Sequence, residues 1–453
     1  MSADSAKPLL FTVSGLRGIV GQSLYPSTVL DYATAFGTWC RGGKVILARD
    51  TRGSGEMLKM AAASALLSTG CEVIDIGIAP TPTVGLAVTD LKARGGLTIT
   101  ASHNPIQWNA LKFFNQNGRY LSPPEIEAIQ RVLESKEFVF REWNHLGKTR
   151  TDDSQIKKHI RQILDLKYVR ARKIRRARFK VVIDAVNGAG YQAGPELLQT
   201  LGCKIIEINC ENTGTFPRKP EPLAENLKQL ERAVKKAKAD IGFALDPDAD
   251  RLAIVSEKGR AIGEEYTLAL AADYLLSQKK GKVAVNLSTS RMIEEVARKY
   301  GVTVERTKVG EANVSARLEE IKGIIGGEGN GGVILPELHY TRDALLGMAL
   351  ILSYMAETGE KITSLKEKIP KYYMVKQVAE LDGDFPAKLD RIKTEFKEAE
   401  VTTLDGVKFD FADRWLHLRK SNTEPVVRII AEAKSKEIAS GLAQQASKIL
   451  KNR

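Results

Sequence analysis

The chain has 453 residues, 43% hydrophobic and 27% charged, with a net charge of +13, which excludes a disordered chain and predicts several domains of about 100–200 residues each. The first eight residues lack the basic start and apolar stretch of a secretory signal, and the longest nearly apolar run, 344–356, falls short of the roughly 20 residues of a membrane span. Cys40, Cys71, Cys203 and Cys210 form no C-x-x-C pair, so a cytoplasmic protein without disulfides or a membrane segment is expected.

In chain order, one unit occurs three times. An apolar strand over 44–50 leads to a helical stretch, Gly70 and a strand over 71–78. The second copy is a strand over 180–184, a helix over 192–200, Gly202 and a strand over 203–208. The third is a strand over 282–287, a helix over 291–300, Gly301 and a strand over 302–306. Apolar runs alternating with helices predict βαβ units, and a glycine just past each helix suits a left-handed cap. Beyond about residue 370 the pattern changes to strands over 372–378, 402–409, 415–418 and 426–431, flanked by helices over 385–398 and 436–451. The fold class is therefore α/β: three consecutive α/β domains with mixed, mainly parallel sheets, then a smaller C-terminal α+β domain. The expected limits are 1–150, 151–255, 256–370 and 371–453. Residues 167–180 hold eight Lys or Arg and no acid; without a recognition motif or stacking aromatics they read as a solvated segment rather than a nucleic-acid surface.

Four short runs carry chemistry. Ser102 follows a strand over 96–100, where open α/β sheets place their ligands, and is a candidate nucleophile or phosphoryl carrier. His103 can move a proton near neutral pH, and Lys112 is close enough in sequence to return to the same loop. Taken alone, Ser102-His103-Asn104-Pro105 reads equally well as an ordinary turn. Asp246, Asp248 and Asp250 alternate after a strand over 241–245; in extended backbone they share one side and repel unless a cation sits among them. Oxygen-only ligation favours Mg²⁺ over Zn²⁺. The glycine-rich run 326–332 offers Glu328 as an acceptor and Asn330 as donor and acceptor for hydroxyls. Arg419, Ser421, Asn422 and Thr423, with Arg428, form a cluster of oxyanion donors, or a polar hairpin turn.

In this order, and joined by Ser14-Gly15-Leu16-Arg17-Gly18, these runs resemble the α-D-phosphohexomutase superfamily of phosphoglucomutase, phosphomannomutase and phosphoglucosamine mutase. The resemblance spans nearly the whole chain. It implies four domains around one central cleft and reversible phosphoryl transfer between O1 and O6 of a hexose phosphate through a hexose 1,6-bisphosphate. By similarity, Ser102 carries the phosphoryl group and joins Asp246, Asp248 and Asp250 on Mg²⁺. Arg17, His103, Lys112 and Arg251 match positions that steady phosphate or move protons. Glu328 matches the sugar grip, with Asn330 and Lys308 beside it. Arg419, Ser421, Asn422, Thr423 and Arg428 match the clamp on the non-reacting phosphate. The partners implied are small phosphosugars, with neither nucleic acid nor membrane, acting on a monomer or homodimer. Pro247, Ala110 and Asn330 depart from commoner Gly, Gly and Ser. Lys308-Val309-Gly310-Glu311 is similar to the K-V-G-D of the glucosamine branch, whereas Gly329-Asn330-Gly331-Gly332 departs from its Q-S-G-H. The sequence thus leans to glucosamine, with glucose or mannose as the alternative. A metal-dependent serine phosphatase is the remote alternative.

Overall fold

The computed structural model describes residues 9–12, 15–380, 385–420 and 426–451. They form four sheets in series. The first has seven strands in the order Leu10–Thr12, Gly15–Ile19, Trp108–Asn115, Gly95–Ile99, Lys44–Arg49, Glu72–Ile78 and Thr149–Thr151. The last four of these run parallel, and the other three join antiparallel. The second sheet orders Arg260–Ala261, Leu252–Ser256, Ile241–Leu245, Lys180–Asp184 and Lys204–Ile208; the third orders Val304–Thr307, Val283–Asn286, Ile325–Glu328 and Gly332–Ile334. Each again has a parallel part with antiparallel strands added to one side.

Central strands such as Ile241–Leu245 are buried along their whole length, which is why they read as unbroken apolar runs rather than alternating ones. Gly70, Gly202 and Gly301 have φ of +83°, +74° and +67°. Each follows a repeat helix, Gly55–Ser68, Gly190–Thr200 or Met292–Lys299, as the sequence pattern requires. The apolar run near residue 344 is a core helix. Ala344–Thr358 buries every side chain from Ala344 to Met355, packing between the second and third sheets against the equally buried Glu265–Gln278. The basic segment forms the short helix Ala171–Ala177, anchored by buried Ile174. Arg170 and Lys173 pair with Glu357, while Arg172, Arg175, Arg176 and Arg178 are exposed.

The fourth sheet is antiparallel throughout, in the order Tyr373–Glu380, Val426–Ala433, Arg414–Lys420, Val407–Asp410 and Glu400–Thr402. The single strand expected over 402–409 is two strands joined by a turn. Gly406 has φ +69°, and its Cα backs onto the Leu418 carbonyl so closely that a Cβ would lie 2.2 Å from the oxygen. The helix Lys436–Lys451 covers this sheet. Among the described residues no helix is long and apolar enough to cross a membrane.

Candidate active site

Residues from all four sheets meet in one cleft of about 570 Å³. The strand Gly95–Ile99 delivers Ser102, which is buried and has φ +48°. A non-glycine residue in that region is held there by its surroundings. What holds it is a buried pair that the sequence reading passed over. The Arg52 guanidinium donates to the carbonyls of Ser102 (2.6 Å), Asn104 (2.8 Å), Pro105 (2.7 Å) and Trp108 (2.9 Å), and its Nε to Asp50 (3.0 Å). Asp50 also accepts from Thr100 Oγ1, whose oxygen in turn accepts the Ser102 N–H. The signal available was Asp50-Thr51-Arg52 directly after a strand.

Ser102 Oγ donates to Asp246 Oδ2 at 2.8 Å and lies 3.4 Å from His103 Nδ1. Burial, with Arg251 and Arg17 nearby, keeps His103 well below the usual imidazole pKa. It is therefore neutral at pH 7, where an unperturbed histidine would be about one-quarter protonated. Arg17 donates to Asn104 Oδ1 at 2.7 Å, so its guanidinium faces the same loop, and burial lowers its pKa.

The three aspartates converge, but not by extended alternation. After Ile241–Leu245 the chain turns: Asp246 Oδ1 accepts the N–H groups of Asp250 and Arg251 at 3.1 Å each, and Ala249 has φ +54°. One ligand oxygen from each of Asp246, Asp248 and Asp250 lies within 4.8 Å of the others, all buried. Burial and repulsion from Asp250 and Asp248 push the Asp246 carboxyl well above its usual range. Burial acts on Asp248 in the same sense and is the largest single influence, but the Lys112 charge and hydrogen bonds with Asp246, Lys112 and Ser102 together outweigh it and hold that carboxyl low; Lys112 Nζ donates to Asp248 Oδ2 at 2.5 Å. Asp248 Oδ1 and Asp250 Oδ1 are buried without a hydrogen-bond partner. Unpartnered carboxylate oxygens at that depth are costly, and a hard divalent cation is the group that this donor set fits. Pro247 is fixed from behind by Gly188, where a Cβ would lie 2.6 Å from Pro247 backbone atoms.

Glu328 ends the strand Ile325–Glu328 and is fully engaged. Asn286 and the Gly310 N–H reach Oε1 at 2.7 and 3.1 Å; Arg342 and Asn330 reach Oε2 at 2.5 and 3.3 Å. Arg342 is the hub here, and nothing in its local sequence marked it. It also meets Asp250 at 2.6 Å and Glu311 at 3.0 Å. Its three acids outweigh burial and raise its pKa. Glu311 is pushed up to about 7 by burial, against the pull of Arg342. Tyr120 and Glu265, also unforeseen, line the same cleft.

At the far end Arg419, on Arg414–Lys420, bonds Asp405 at 2.9 Å, and Arg428 lies across from it in register. Both line the cleft, as do Arg251 and Asn330. Ser421, Asn422 and Thr423 lie outside the described residues. Lys308 is exposed and is not among the lining residues, whereas Val309, Gly310 and Glu311 are.

Four family models match the chain. They are described as phosphoglucomutase/phosphomannomutase alpha/beta/alpha domains I, II and III and C-terminal domain, over residues 8–140, 157–259, 263–373 and 374–449. A phosphoglucomutase/phosphomannomutase of Thermococcus kodakarensis is 42% identical over 97% of this chain and 98% of its own. A probable phosphoglucosamine mutase of Methanopyrus kandleri is 37% identical over 96% of each. Among solved structures, a phosphoglucomutase/phosphomannomutase family protein of Burkholderia thailandensis superposes with a TM-score of 0.84 at 28% identity, covering 98% of both chains.

Proposed function

This chain belongs to the phosphoglucomutase/phosphomannomutase family and is a phosphohexomutase; from that premise we propose that Ser102 is its phosphoryl carrier and an amino-hexose phosphate its preferred substrate. The observation that carries the first part is Ser102 Oγ, 2.8 Å from Asp246 and held in a strained turn beside two unpartnered carboxylate oxygens. In the proposed cycle a sugar hydroxyl attacks phosphoserine 102. The new P–O bond forms as the P–Oγ bond breaks, and the hydroxyl proton passes to a neighbouring base. His103, neutral at pH 7, has the proton capacity. The 1,6-bisphosphate then turns end for end and returns its other phosphoryl group to Ser102.

Asp246, Asp248 and Asp250 would hold Mg²⁺, which supplies positive charge to the transferring phosphoryl oxygens. Arg17, Lys112 and Arg251 face the same point and stabilise charge there. Glu328, oriented by Asn286 and Arg342, grips sugar hydroxyls, with Asn330 beside it. Arg419 and Arg428, completed by Ser421, Asn422 and Thr423, clamp the distal phosphate. Lys308, exposed and next in sequence to the cleft-lining Val309, would add positive charge outside the lining rather than hold the substrate. The glucosamine preference rests on the Val309-Gly310-Glu311 segment in the cleft wall. We expect a cytoplasmic setting, with which four free cysteines are compatible, and a monomer or homodimer. A coupled assay with glucose, mannose and glucosamine 1-phosphates tests the reading. Mg²⁺-dependent formation of 6-phosphates, fastest with glucosamine, is expected; phosphate release outrunning isomer formation would mean a phosphatase instead.

A further inference from the structure

Two glycines of the sugar loop are not demanded by their own backbone. Gly327 and Gly331 have φ of +153° and +92°, whereas Gly329 and Gly332 are outside the positive-φ set. What excludes a side chain at the latter two is occupied space. A Cβ on Gly329 would lie 2.1 Å from both carboxylate oxygens of Glu265, and one on Gly332 would lie 2.1 Å from Arg342 Cδ. Glycine here permits close approach by another residue. The two intruders come from different elements: Glu265 opens the helix Glu265–Gln278, and Arg342 precedes Asp343, the N-cap of Ala344–Thr358. Both line the cleft. These are the places where the Q-S-G-H pattern carries Gln and His.

We propose that Glu265 and Arg342 supply, through these two gaps, the side chains that the loop lacks: Glu265 as the contact that selects an amino group on the sugar, Arg342 as the positioning residue that fixes Glu328. This rests on the mutase reading and names the substrate class of that site. The cleft as a whole is rich in cations, with Arg17, Lys112, Arg251, Lys376, Arg419 and Arg428 in its lining, so the case for an amine is local: Glu311 and Glu328 share Arg342 with Asp250, and Glu265 abuts Gly329 beside them. Glu265 accepts only the Ser290 N–H, at 2.9 Å, among the described hydrogen bonds; the nearby Lys376 bonds Glu264 instead. Burial pushes the Glu265 carboxyl well above its usual range; a substrate ammonium placed against it would favour the charged form and complete this set with a charge-assisted hydrogen bond that a hydroxyl cannot match.

The test measures kcat and KM on glucosamine 1-phosphate and glucose 1-phosphate, with thermal midpoints as the folding control. Glu265→Gln should raise KM for glucosamine 1-phosphate about 10-fold or more, the size of a lost charged hydrogen bond, and leave glucose 1-phosphate within about threefold. Gly329→Ala, which displaces Glu265, should reproduce that selectivity loss. Arg342→Ala should lower kcat/KM for both sugars alike, and Arg342→Lys should restore part of it. Equal effects of Glu265→Gln on both sugars, wild-type discrimination in Gly329→Ala, or an Arg342→Ala that shifts only the thermal midpoint would each overturn the proposal. A wild-type protein inactive on every hexose phosphate would instead refute the mutase reading beneath it.

Discussion

Arg52→Met should separate the serine loop from its support. In the folded protein Arg52 is 1% exposed and gives four hydrogen bonds to loop carbonyls besides its bond to Asp50, itself fully buried. Each charged hydrogen bond is worth about 1.5–3 kcal/mol, but the carbonyls of Asn104 and Pro105 lie near solvent and recover part of the loss in water. Asp50 cannot, and a buried carboxylate stripped of its partner costs about 3–5 kcal/mol. We therefore expect the first domain to lose about 4 kcal/mol, read in urea by a probe confined to that domain, since a four-unit chain does not unfold in one step. Asp50→Asn combined with Arg52→Met removes the orphaned charge and should regain more than half of that loss. Activity should not follow stability. With its carbonyl anchors gone, Ser102 is free to drift by about 1 Å, which is worth roughly 100-fold in kcat, in both the single and the double variant. A single variant as stable as wild type, or a double variant with restored kcat, would refute this account of the loop.

Two other sites give sharp expectations. Gly188→Ala puts a methyl group 2.6 Å from the Pro247 backbone, so the metal loop must move; calorimetric Mg²⁺ titration should show affinity reduced about 10–100-fold with the circular dichroism spectrum unchanged, and unaltered affinity would show that the loop tolerates displacement. At the junction of the first and third sheets, Asp343 accepts hydrogen bonds from His159 and His339 at 2.8 and 3.0 Å. Burial lowers His339 below its usual 6.5, and the two histidines, outweighing burial, hold Asp343 below the usual carboxylate range. The unfolded chain thus binds more protons than the folded one below pH 6.5, so stability present at neutral pH should decline as the pH falls through 6 and decline further below 4. Asp343→Ala should remove about 3–5 kcal/mol at pH 7 and abolish the further decline below pH 4, while the decline through pH 6 persists or deepens, because Asp343 is the group that holds His339 up against burial; a variant that keeps the wild-type loss below pH 4 would contradict the assignment.

How far the sequence alone reveals the site depends on whether the chemistry is local. Ser102 and the three aspartates sit in short runs at strand ends, so residue type and position were enough. The aspartate geometry was not: alternation in extended chain was expected, whereas a turn through Ala249, closed by Asp246 on its own loop, brings the carboxylates together. Arg52 reaches its carbonyls 50 to 56 residues away and Arg342 reaches Asp250 across 92; no periodicity encodes such pairings. Gly329 and Gly332 stood out only as members of a glycine-rich run; that each leaves room for a side chain from another element is visible only in the fold. The repeated βαβ units were legible because glycine caps and buried strands leave local patterns. The divided strand near Gly406 was legible too, since Asp405-Gly406 is a hairpin turn signal between two short strand-like runs, but one strand running straight through it was expected.

The central claim is that one hydroxyl carries the phosphoryl group. The direct measurement is peptide mass spectrometry after incubation with a hexose 1,6-bisphosphate and Mg²⁺. The account predicts one added phosphoryl group, located on Ser102, discharged when excess hexose monophosphate is supplied, and absent in Ser102→Ala. A phosphoryl group found elsewhere, or undiminished turnover in Ser102→Ala, would contradict it.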